Sequence, residues 1–320
     1  MAASSSIFSS EQARRLPWRA VALFVAALVV FDQGAGRLVE RLIPTTDSNW
    51  GPNQVARLIG RSEPGIVLGD SRAGAIAPKV LKARTGLAFF NGTAPGQSIH
   101  YQIIAFEALL KRNPNLRIVV YELDHLDLTA GNRSQQQAVE VASFLYGSSA
   151  TAREIFHRLD PWNRLRFLSR TYRVNGAIAP ILVDRLFPSQ RGRLTSEDGF
   201  IAHDGTMKGK PCKAGPSVSP PFDAFKLALL KRFVERARAA KVKVLFVTAP
   251  WLIACGVDRR PLFARFASLA AEWGAPYRSF ITALDNPADF FDANHVNRRA
   301  ALRYSEMVAQ ALAETLKTSP

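Results

Sequence analysis

A serine stands where a predicted buried strand, Gly65–Asp70, gives way to a predicted helix, Ala73–Ala83. A hydroxyl in such a turn lies near the helix N-terminus, where backbone N–H groups and the helix dipole stabilise a developing oxyanion. Ser71 is therefore a candidate nucleophile and, at the same helix start, a candidate contributor to an oxyanion hole. The alternative interpretation is an ordinary turn with a helix cap.

A glycine-bounded loop follows the next predicted strand, Ala88–Gly92, and ends at Gly96. Because glycine lets the backbone come close to a ligand, the Gly96 N–H is a candidate oxyanion donor. The side-chain amide of Asn91 is a further candidate for the same hole. Its alternative role is to tie the loop down.

A histidine with an aspartate three residues before it stands ahead of the last predicted helix, Asn297–Lys317. A serine nucleophile needs a base, and the ordinary pKa of histidine lies near neutrality. Asp292 can bond one ring nitrogen of His295, fix the tautomer and leave the other nitrogen facing Ser71. In the alternative interpretation, Asp292 or Asn294 caps the helix and His295 belongs to its first turn.

Short apolar segments alternate with amphipathic segments along most of the chain, which predicts parallel strands separated by helices. The predicted strands are Gly65–Asp70, Ala88–Gly92, Arg117–Asp124, Lys243–Pro250 and the short Pro276–Phe280. The predicted helices are Ala73–Ala83, Ser98–Arg112, Phe222–Ala240, Pro261–Trp273 and Asn297–Lys317. The expected fold class is α/β, a three-layer doubly wound parallel sheet of the flavodoxin-like kind. Ligands bind at the carboxyl ends of such strands, where the three chemical segments fall.

One long segment, Leu128–Pro221, interrupts this alternation. Its predicted helical pieces are Gln135–Phe144, Ala152–Leu159 and Val174–Phe187. Its last part, Pro188–Pro221, is rich in Gly, Pro, Ser and Lys. An insertion of this length predicts a cap, a lid or a partner surface. The α/β domain is expected over residues 46–320, with the insertion at about 128–221.

The N-terminus contains one unbroken apolar run, Ala20–Phe31, with basic residues before it. The run is shorter than the about 20 residues that span a bilayer, but Trp18 and Arg19 can extend the span at the interface. Residues 1–45 are therefore expected to form a cytoplasmic tail and a single inner-membrane anchor, with the domain in the periplasm. The alternatives are a signal peptide cleaved near Gly36, which would release a secreted protein, and a buried amphipathic helix.

The composition excludes several classes of protein. A hydrophobic content of 48% in 320 residues excludes intrinsic disorder, and a single apolar stretch excludes a polytopic membrane protein. The 42 Lys and Arg against 26 Asp and Glu give a formal net charge of +16. No zinc-finger, helix-turn-helix or RNP pattern accompanies this charge, so no nucleic-acid partner is expected. For a domain outside the inner membrane, the basic surface is expected to face anionic lipid or an acidic polymer.

The two cysteines and the scattered histidines predict little chemistry. Cys212 and Cys255 allow one disulfide in an oxidising compartment or two unpaired thiols. His100, His157 and His203 have no partner at metal-ligand spacing. We expect no metal site and no cofactor.

The chemical segments resemble the conserved blocks of the SGNH (GDSL) hydrolase superfamily. Ile66-Val-Leu-Gly-Asp-Ser71 resembles its first block, Phe89-Phe-Asn-Gly-Thr-Ala-Pro-Gly96 its second and Asp292-Ala-Asn-His295 its fifth. The resemblance covers roughly residues 60–315, with the insertion unmatched. It implies the SGNH-hydrolase-like fold, Ser71 as nucleophile, His295 as general base, Asp292 as its orienter and Gly96 as the oxyanion glycine.

The third block of that superfamily is not matched. Its Asn, which donates to the oxyanion, has no counterpart in Leu123-Asp-His-Leu-Asp127. An ionised Asp accepts hydrogen bonds but donates none. Losing one oxyanion donor costs about 2.7–4 kcal/mol in a serine hydrolase, so fast hydrolysis of ordinary esters is not expected. Asp124 and Asp127 are expected to close the loop after the third strand.

The anchor, the Gly-Asp-Ser-Arg turn and the missing third-block Asn together resemble a narrower branch. That branch is the membrane-anchored, DltD-like and alginate O-acetylation-like proteins of cell-envelope polymer modification. The resemblance implies an acyltransferase or esterase that passes an acyl group from a donor through Ser71 to a polysaccharide or envelope polymer. It also implies a membrane-bound O-acyltransferase as a partner. The alternatives are a catalytically silent polysaccharide-binding or scaffolding protein and a secreted GDSL-type esterase or lipase.

Overall fold

Five strands form a parallel sheet, which confirms the α/β fold class. The computed structural model describes residues 18–43, 52–131, 141–187, 198–201, 203–207 and 213–317. The strands are β1 (Gly65–Leu68), β2 (Phe89–Asn91), β3 (Ile118–Glu122), β4 (Lys243–Thr248) and β5 (Tyr277–Ser279). Their order across the sheet is β2-β1-β3-β4-β5 and every neighbouring pair is parallel. This is the doubly wound order of flavodoxin-like sheets.

Helices cover both faces of the sheet. Those within the described residues are α1 (Trp18–Leu42), α2 (Pro52–Ile59), α3 (Pro78–Thr85), α4 (Ile99–Arg112), α5 (Ala150–Leu159), α6 (Asn163–Arg166), α7 (Arg170–Leu186), α8 (Ala224–Ala239), α9 (Arg260–Glu272) and α10 (Arg298–Lys317). Alternate strand residues face opposite sides, as the pleat requires. Ile66 and Leu68 pack in the core under α4, α8 and α9, whereas Val67 packs in the core under α3 and α10. The result is three layers.

The helix predicted over Ala73–Ala83 is divided in the structure. A 3₁₀ turn covers Ala73–Ala75, and α3 begins only at Pro78. The backbone at Ile76 and Ala77 is extended, with ψ values of 109° and 114°. A proline disfavours helical backbone at the residue before it, which explains the interruption. Ser71 therefore precedes a tight turn rather than a full helix.

The insertion is largely helical where it is described. The predicted pieces Ala152–Leu159 and Val174–Phe187 correspond to α5 and to most of α7. The prediction for Gln135–Phe144 falls largely on residues 132–140, which lie outside the described part. The sequence pattern did not predict α2 or α6.

The N-terminal helix has two unlike halves. Up to Phe31 its side chains are largely exposed, and α1 as a whole is the one described helix long and apolar enough to cross a membrane, with mean hydropathy 1.6. Beyond that point α1 packs on α7. Asp32 accepts hydrogen bonds from the Arg170 N–H (2.7 Å) and the Ser169 hydroxyl (2.6 Å). Gly36 is buried in this contact, and the helices pack so closely that a Cβ at this position would lie 2.7 Å from Arg170.

One cysteine is described in the structure. Cys255 is disulfide-bonded. Cys212 lies outside the described residues.

Gly69, directly after β1, offers a direct test of how tightly the turn before Ser71 is built. Its φ is +144°, and a Cβ would lie 2.7 Å from the Glu122 carbonyl oxygen. We expect Gly69→Ala to lower the free energy of unfolding by at least about 2 kcal/mol, through backbone strain and this clash. Denaturant titration measures the change. Gly147→Ala, in open space, is the control. Equal stability of the two variants would contradict the strained backbone and close packing at Gly69.

Candidate active site

Three side chains that the sequence places far apart lie in one hydrogen-bonded chain. The Ser71 hydroxyl oxygen is 2.8 Å from Nε2 of His295. Nδ1 of His295 is 2.9 Å from each carboxylate oxygen of Asp292. This is the arrangement in which a serine, its base and the residue that orients the base operate together.

Local hydrogen bonds hold each member of this triad in place. Asp70 Oδ1 accepts the Arg72 N–H at 2.9 Å, which stabilises the turn that presents Ser71. Asp292 Oδ1 accepts the backbone N–H groups of Asn294 and His295, each at 2.8 Å. The side chains of Asp70 and Asp292 thus stabilise the turns that carry Ser71 and His295.

The last helix joins the two turns. Ser305, in the second turn of α10, is fully buried. Its hydroxyl accepts the Ala77 N–H at 2.8 Å and lies 3.1 Å from the Ala75 carbonyl oxygen. Because α10 begins three residues after His295, its contact with the segment after Ser71 sets the distance between nucleophile and base.

The carboxylate of Asp292 is ionised over the whole neutral range. Partial burial raises its pKa, but the hydrogen bonds from the His295 ring and from backbone N–H groups outweigh this and lower the pKa to about 2. An ionised carboxylate holds the proton of the imidazole on Nδ1. Nε2 then carries a lone pair directed at the Ser71 hydroxyl, as a general base requires.

Two of the predicted oxyanion donors have no other partner. Gly96 has φ of +73°, a left-handed conformation that suits glycine. Within the described part of the chain, neither the Gly96 N–H nor the Ser71 N–H makes a hydrogen bond. The Thr93 hydroxyl bonds the Asp70 carbonyl, and the Ala94 N–H bonds the Gly69 carbonyl at 3.0 Å, so the loop is fastened to the nucleophile turn.

Asn91 has a different role from the oxyanion donor expected. Its side-chain N–H groups donate to the carbonyl oxygens of Ala73 (2.7 Å) and Ile76 (2.8 Å). Its Oδ1 accepts the Thr93 N–H at 3.0 Å. Since both amide hydrogens are engaged and the side chain is buried, Asn91 ties the second loop to the turn after Ser71. The expectation that its amide faces an oxyanion is thereby corrected.

A buried ion pair joins Arg72 to the loop after β3. Nη2 of Arg72 is 2.6 Å from Asp124 Oδ2 and 3.1 Å from Glu122 Oε1, and all three side chains are almost fully buried. The guanidinium also lies 4.7 Å from the ring centre of Trp251. The residue that follows Ser71 is therefore fixed by charge rather than solvated at a helix start.

The pKa values of the three groups in this cluster shift in different directions. Burial lowers the pKa of Arg72, but Glu122 and Asp124 outweigh it and hold that pKa above its ordinary value. For Asp124, burial raises the pKa and Arg72 lowers it, with the net pKa well below its usual range. Burial raises the pKa of Glu122 well above its usual range. The shortest contact in this cluster is the Arg72–Asp124 ion pair, at 2.6 Å.

The other residues of the third-block segment close the loop after β3. The Asp124 N–H donates to Asp127 Oδ2 at 2.9 Å, and the Tyr121 hydroxyl lies 3.0 Å from Asp127 Oδ1. Burial raises the pKa of Asp127 to about 8. His125 lies with Nδ1 2.7 Å from Asp124 Oδ1. These contacts agree with the loop-closing role expected of Asp124 and Asp127.

The structure adds one histidine that sequence spacing missed. The insertion places the ring of His203 5.2 Å from that of His295, stacked on Phe291 at 4.8 Å. Burial, followed by the neighbouring His295, lowers the pKa of His203. No local signal could have identified it, because 92 residues separate the two rings in the sequence. His100 and His157 instead bond Ser98 (3.0 Å) and Tyr146 (2.7 Å).

The space beside the nucleophile is small. A cavity of about 10 Å³ is lined by Ser71, Arg72, Ala75, His203, Ala249, Pro250, Asn294, His295 and Val296. That volume holds about one water molecule. The described residues around Ser71 are thus closely packed, and the lining comes in part from the insertion and from the two residues that follow β4.

Comparison with known proteins adds little to this geometry. No family model matches the chain, and no curated protein matches it. Among solved structures, the chain is similar to a candidate acylhydrolase from Bacteroides fragilis, with 14% identity and a TM-score of 0.41 over 83% of this chain and 95% of that one. A likeness at this level carries no argument about reaction or substrate.

The Arg72 cluster should contribute strongly to stability. Replacing Arg72 with Met leaves the Asp124 carboxylate buried without its counter-charge, so the free energy of unfolding should fall by roughly 3–5 kcal/mol. Arg278→Met is the control, because its pair with Glu314 is exposed and long at 3.4 Å. That variant should change stability by less than about 1 kcal/mol. Similar losses in both variants would contradict the role of the cluster.

Asp292 should make stability depend on pH in acid. A carboxyl whose pKa falls from 3.8 to about 2 on folding contributes stability above about pH 4, and this is lost as the pH falls through 2. Wild type should therefore be more stable than Asp292→Asn at pH 5, and the difference should shrink toward pH 2. Denaturant titrations at several pH values measure it. A constant difference across that window would be inconsistent with the Asp292–His295 contact.

Proposed function

We propose that this chain is an SGNH-type acyltransferase or esterase that acts outside the cytoplasm on a cell-envelope polymer or exopolysaccharide. The observation that carries the proposal is the hydrogen-bonded series from Ser71 through His295 to Asp292. The resemblance of three segments to the SGNH blocks supports the same reaction class. The missing third-block Asn and the apolar helix α1 support the membrane-anchored, polymer-modifying branch.

The proposed reaction has two half-reactions. The Ser71 oxygen attacks the carbonyl carbon of the acyl donor while its proton passes to Nε2 of His295. The imidazolium then protonates the departing alcohol or thiol, leaving an acyl ester on Ser71. In the second half, a polymer hydroxyl gives its proton to the same nitrogen and attacks the ester carbonyl. Ser71 recovers its proton and leaves, so the histidine returns to its starting state.

Stabilisation of the tetrahedral intermediate falls to two backbone donors. The N–H groups of Ser71 and Gly96 are without other partners and belong to loops fastened together at Asp70. Where the superfamily has an Asn donor, Asp124 faces Arg72 instead. A missing donor costs about 2.7–4 kcal/mol of transition-state stabilisation. The enzyme is therefore expected to be slow toward small free esters and to depend on an acceptor held in place beside Ser71.

The small cavity beside Ser71 must widen before an acyl group can enter. Its lining includes Arg72 and, from the insertion, His203. A volume of about 10 Å³ holds about one water molecule, so any acyl group requires movement of the lining residues. The insertion is thus proposed to cover the acyl group, as the cap or lid that its length predicts.

Contacts of α1 support a retained anchor rather than a cleaved signal peptide. Cleavage near Gly36 would remove Asp32 and its bonds to the start of α7. It would also cut the helix where Gly36 packs against Arg170. We propose that α1 holds the domain outside the inner membrane, where a membrane-bound O-acyltransferase supplies the acyl group.

A second candidate function is a silent SGNH-fold scaffold that binds polymer without chemistry. The Asp124–Arg72 pair favours it, because it stands where a catalytic donor is expected. The triad geometry opposes it, since an unused nucleophile needs no aligned base.

Replacement of the nucleophile separates the two candidates. In the native host, a deletion strain carrying Ser71→Ala should show loss of acyl esters from the envelope polymer, to the level of the deletion itself. Mass spectrometry of released acyl groups measures it. Ser62→Ala, at an exposed loop serine, is the control and should restore acylation fully. Full acylation with Ser71→Ala, where deletion abolishes it, would establish the scaffold instead.

A further inference from the structure

Three large apolar side chains are exposed at and beside α6. Trp162, Leu165 and Leu168 are 64%, 60% and 67% exposed. They recur every third residue, which places them on one side of the helical turn. Their buried neighbour Asn163 donates from Nδ2 to the Phe156 carbonyl at 2.9 Å, and this bond fixes the outward direction of the set. We name these three residues the α6 patch.

The α6 patch lies level with the point where α1 changes from apolar to polar. Nε2 of Gln33 donates to the Leu168 carbonyl at 3.0 Å. Asp32 accepts from the Arg170 N–H at 2.7 Å. Asp32 and Gln33 are the first polar residues after the exposed apolar run that ends at Phe31. If α1 enters a bilayer, these bonds hold the α6 patch at the surface of that bilayer.

The direction of α7 places other exposed apolar residues farther from the apolar half of α1 than the α6 patch. The contacts between the helices progress from Asp32 and the start of α7 to a cluster that contains Ile43, Val174 and Ile181. The two helices therefore run the same way along their contact, away from the apolar half of α1. Leu186, also 67% exposed, ends a helix that is about 25 Å long by its 17 residues. It lies well away from the expected membrane level.

Charge around the patch matches an anionic lipid surface. Arg164 stands between the patch residues and is exposed, whereas the neighbouring Arg166 pairs with Asp160 at 2.5 Å. Basic side chains near the surface attract anionic headgroups, and tryptophan favours the headgroup region. This mixture is less suited to a dry protein groove, where the arginines would need carboxylate partners.

The length of α1 gives such a contact a physical reason. The exposed run from Trp18 to Phe31 is 14 residues, about 21 Å of helix. The hydrocarbon core of a bilayer is about 30 Å thick. A bilayer adapts to a short apolar stretch by local thinning, and interfacial anchors set the tilt of the helix. An apolar contact beside the described run would act as such an anchor.

From these observations we propose that the α6 patch, with Arg164, inserts into the headgroup region of the anionic bilayer that α1 enters. It forms a second membrane contact and sets the orientation of the catalytic domain. The proposal rests on the anchoring part of the proposed function and is independent of the chemistry of Ser71.

Photolabelling of the full chain tests this contact. The protein is reconstituted into phosphatidylglycerol–phosphatidylcholine vesicles that contain a lipid with a diazirine near the glycerol, irradiated, digested and mapped by mass spectrometry. We expect label on peptides of α1 and on the peptide carrying the α6 patch, but not on Leu186. Replacing phosphatidylglycerol by phosphatidylcholine should reduce the label on the patch and leave that on α1.

Two variants keep the result interpretable. The triple change Trp162→Ser, Leu165→Ser, Leu168→Ser should lower label on that peptide at least about five-fold and leave α1 labelled. Leu186→Ser, at an equally exposed leucine, should change nothing. Circular dichroism and unfolding midpoints like wild type would show that both variants fold.

Three results would overturn the proposal. Label on α1 without label on the α6 patch would leave the anchor and remove the second contact. An unlabelled α1 would remove the anchor and with it this inference, whatever Ser71 does in an activity assay. Equal label on the patch with and without phosphatidylglycerol would show that anionic lipid does not attract it.

Discussion

The parallel sheet brings Ser71 and His295 within hydrogen-bond distance. The two stand 224 positions apart, one after β1 and one before α10. Parallel strands end at a common edge, so the turn after β1 and the segment before α10 meet there. Ser305 then ties α10 to the backbone that follows the serine. A change in the packing of α10 would therefore act on the distance between nucleophile and base.

A second constraint lies directly under the nucleophile. Arg72 follows Ser71 and is buried between Glu122 and Asp124, so the turn cannot move without separating a buried ion pair. Such a pair adds little net stability compared with apolar packing, but it strongly resists the loss of one partner. The rigidity of the turn that carries Ser71 thus has its structural cause in this pair.

The sequence predicted what is encoded locally and missed what is encoded across long separations. Apolar periodicity predicted all five strands, and residue type and order predicted that Ser71, His295 and Asp292 meet. The break at Pro78 was readable in principle, because proline restricts the residue before it. The approach of His203 to His295 was not, since it depends on how the insertion folds back over the sheet.

A fluorophosphonate tests most directly whether Ser71 is a nucleophile activated by His295. Such reagents form a stable adduct with an activated serine. The full chain, treated and mapped by mass spectrometry, should carry the adduct on Ser71, and His295→Ala should slow its formation by about 100-fold or more. An adduct that forms at the same rate without His295, or no adduct on Ser71 in folded protein, would contradict activation of Ser71 by His295.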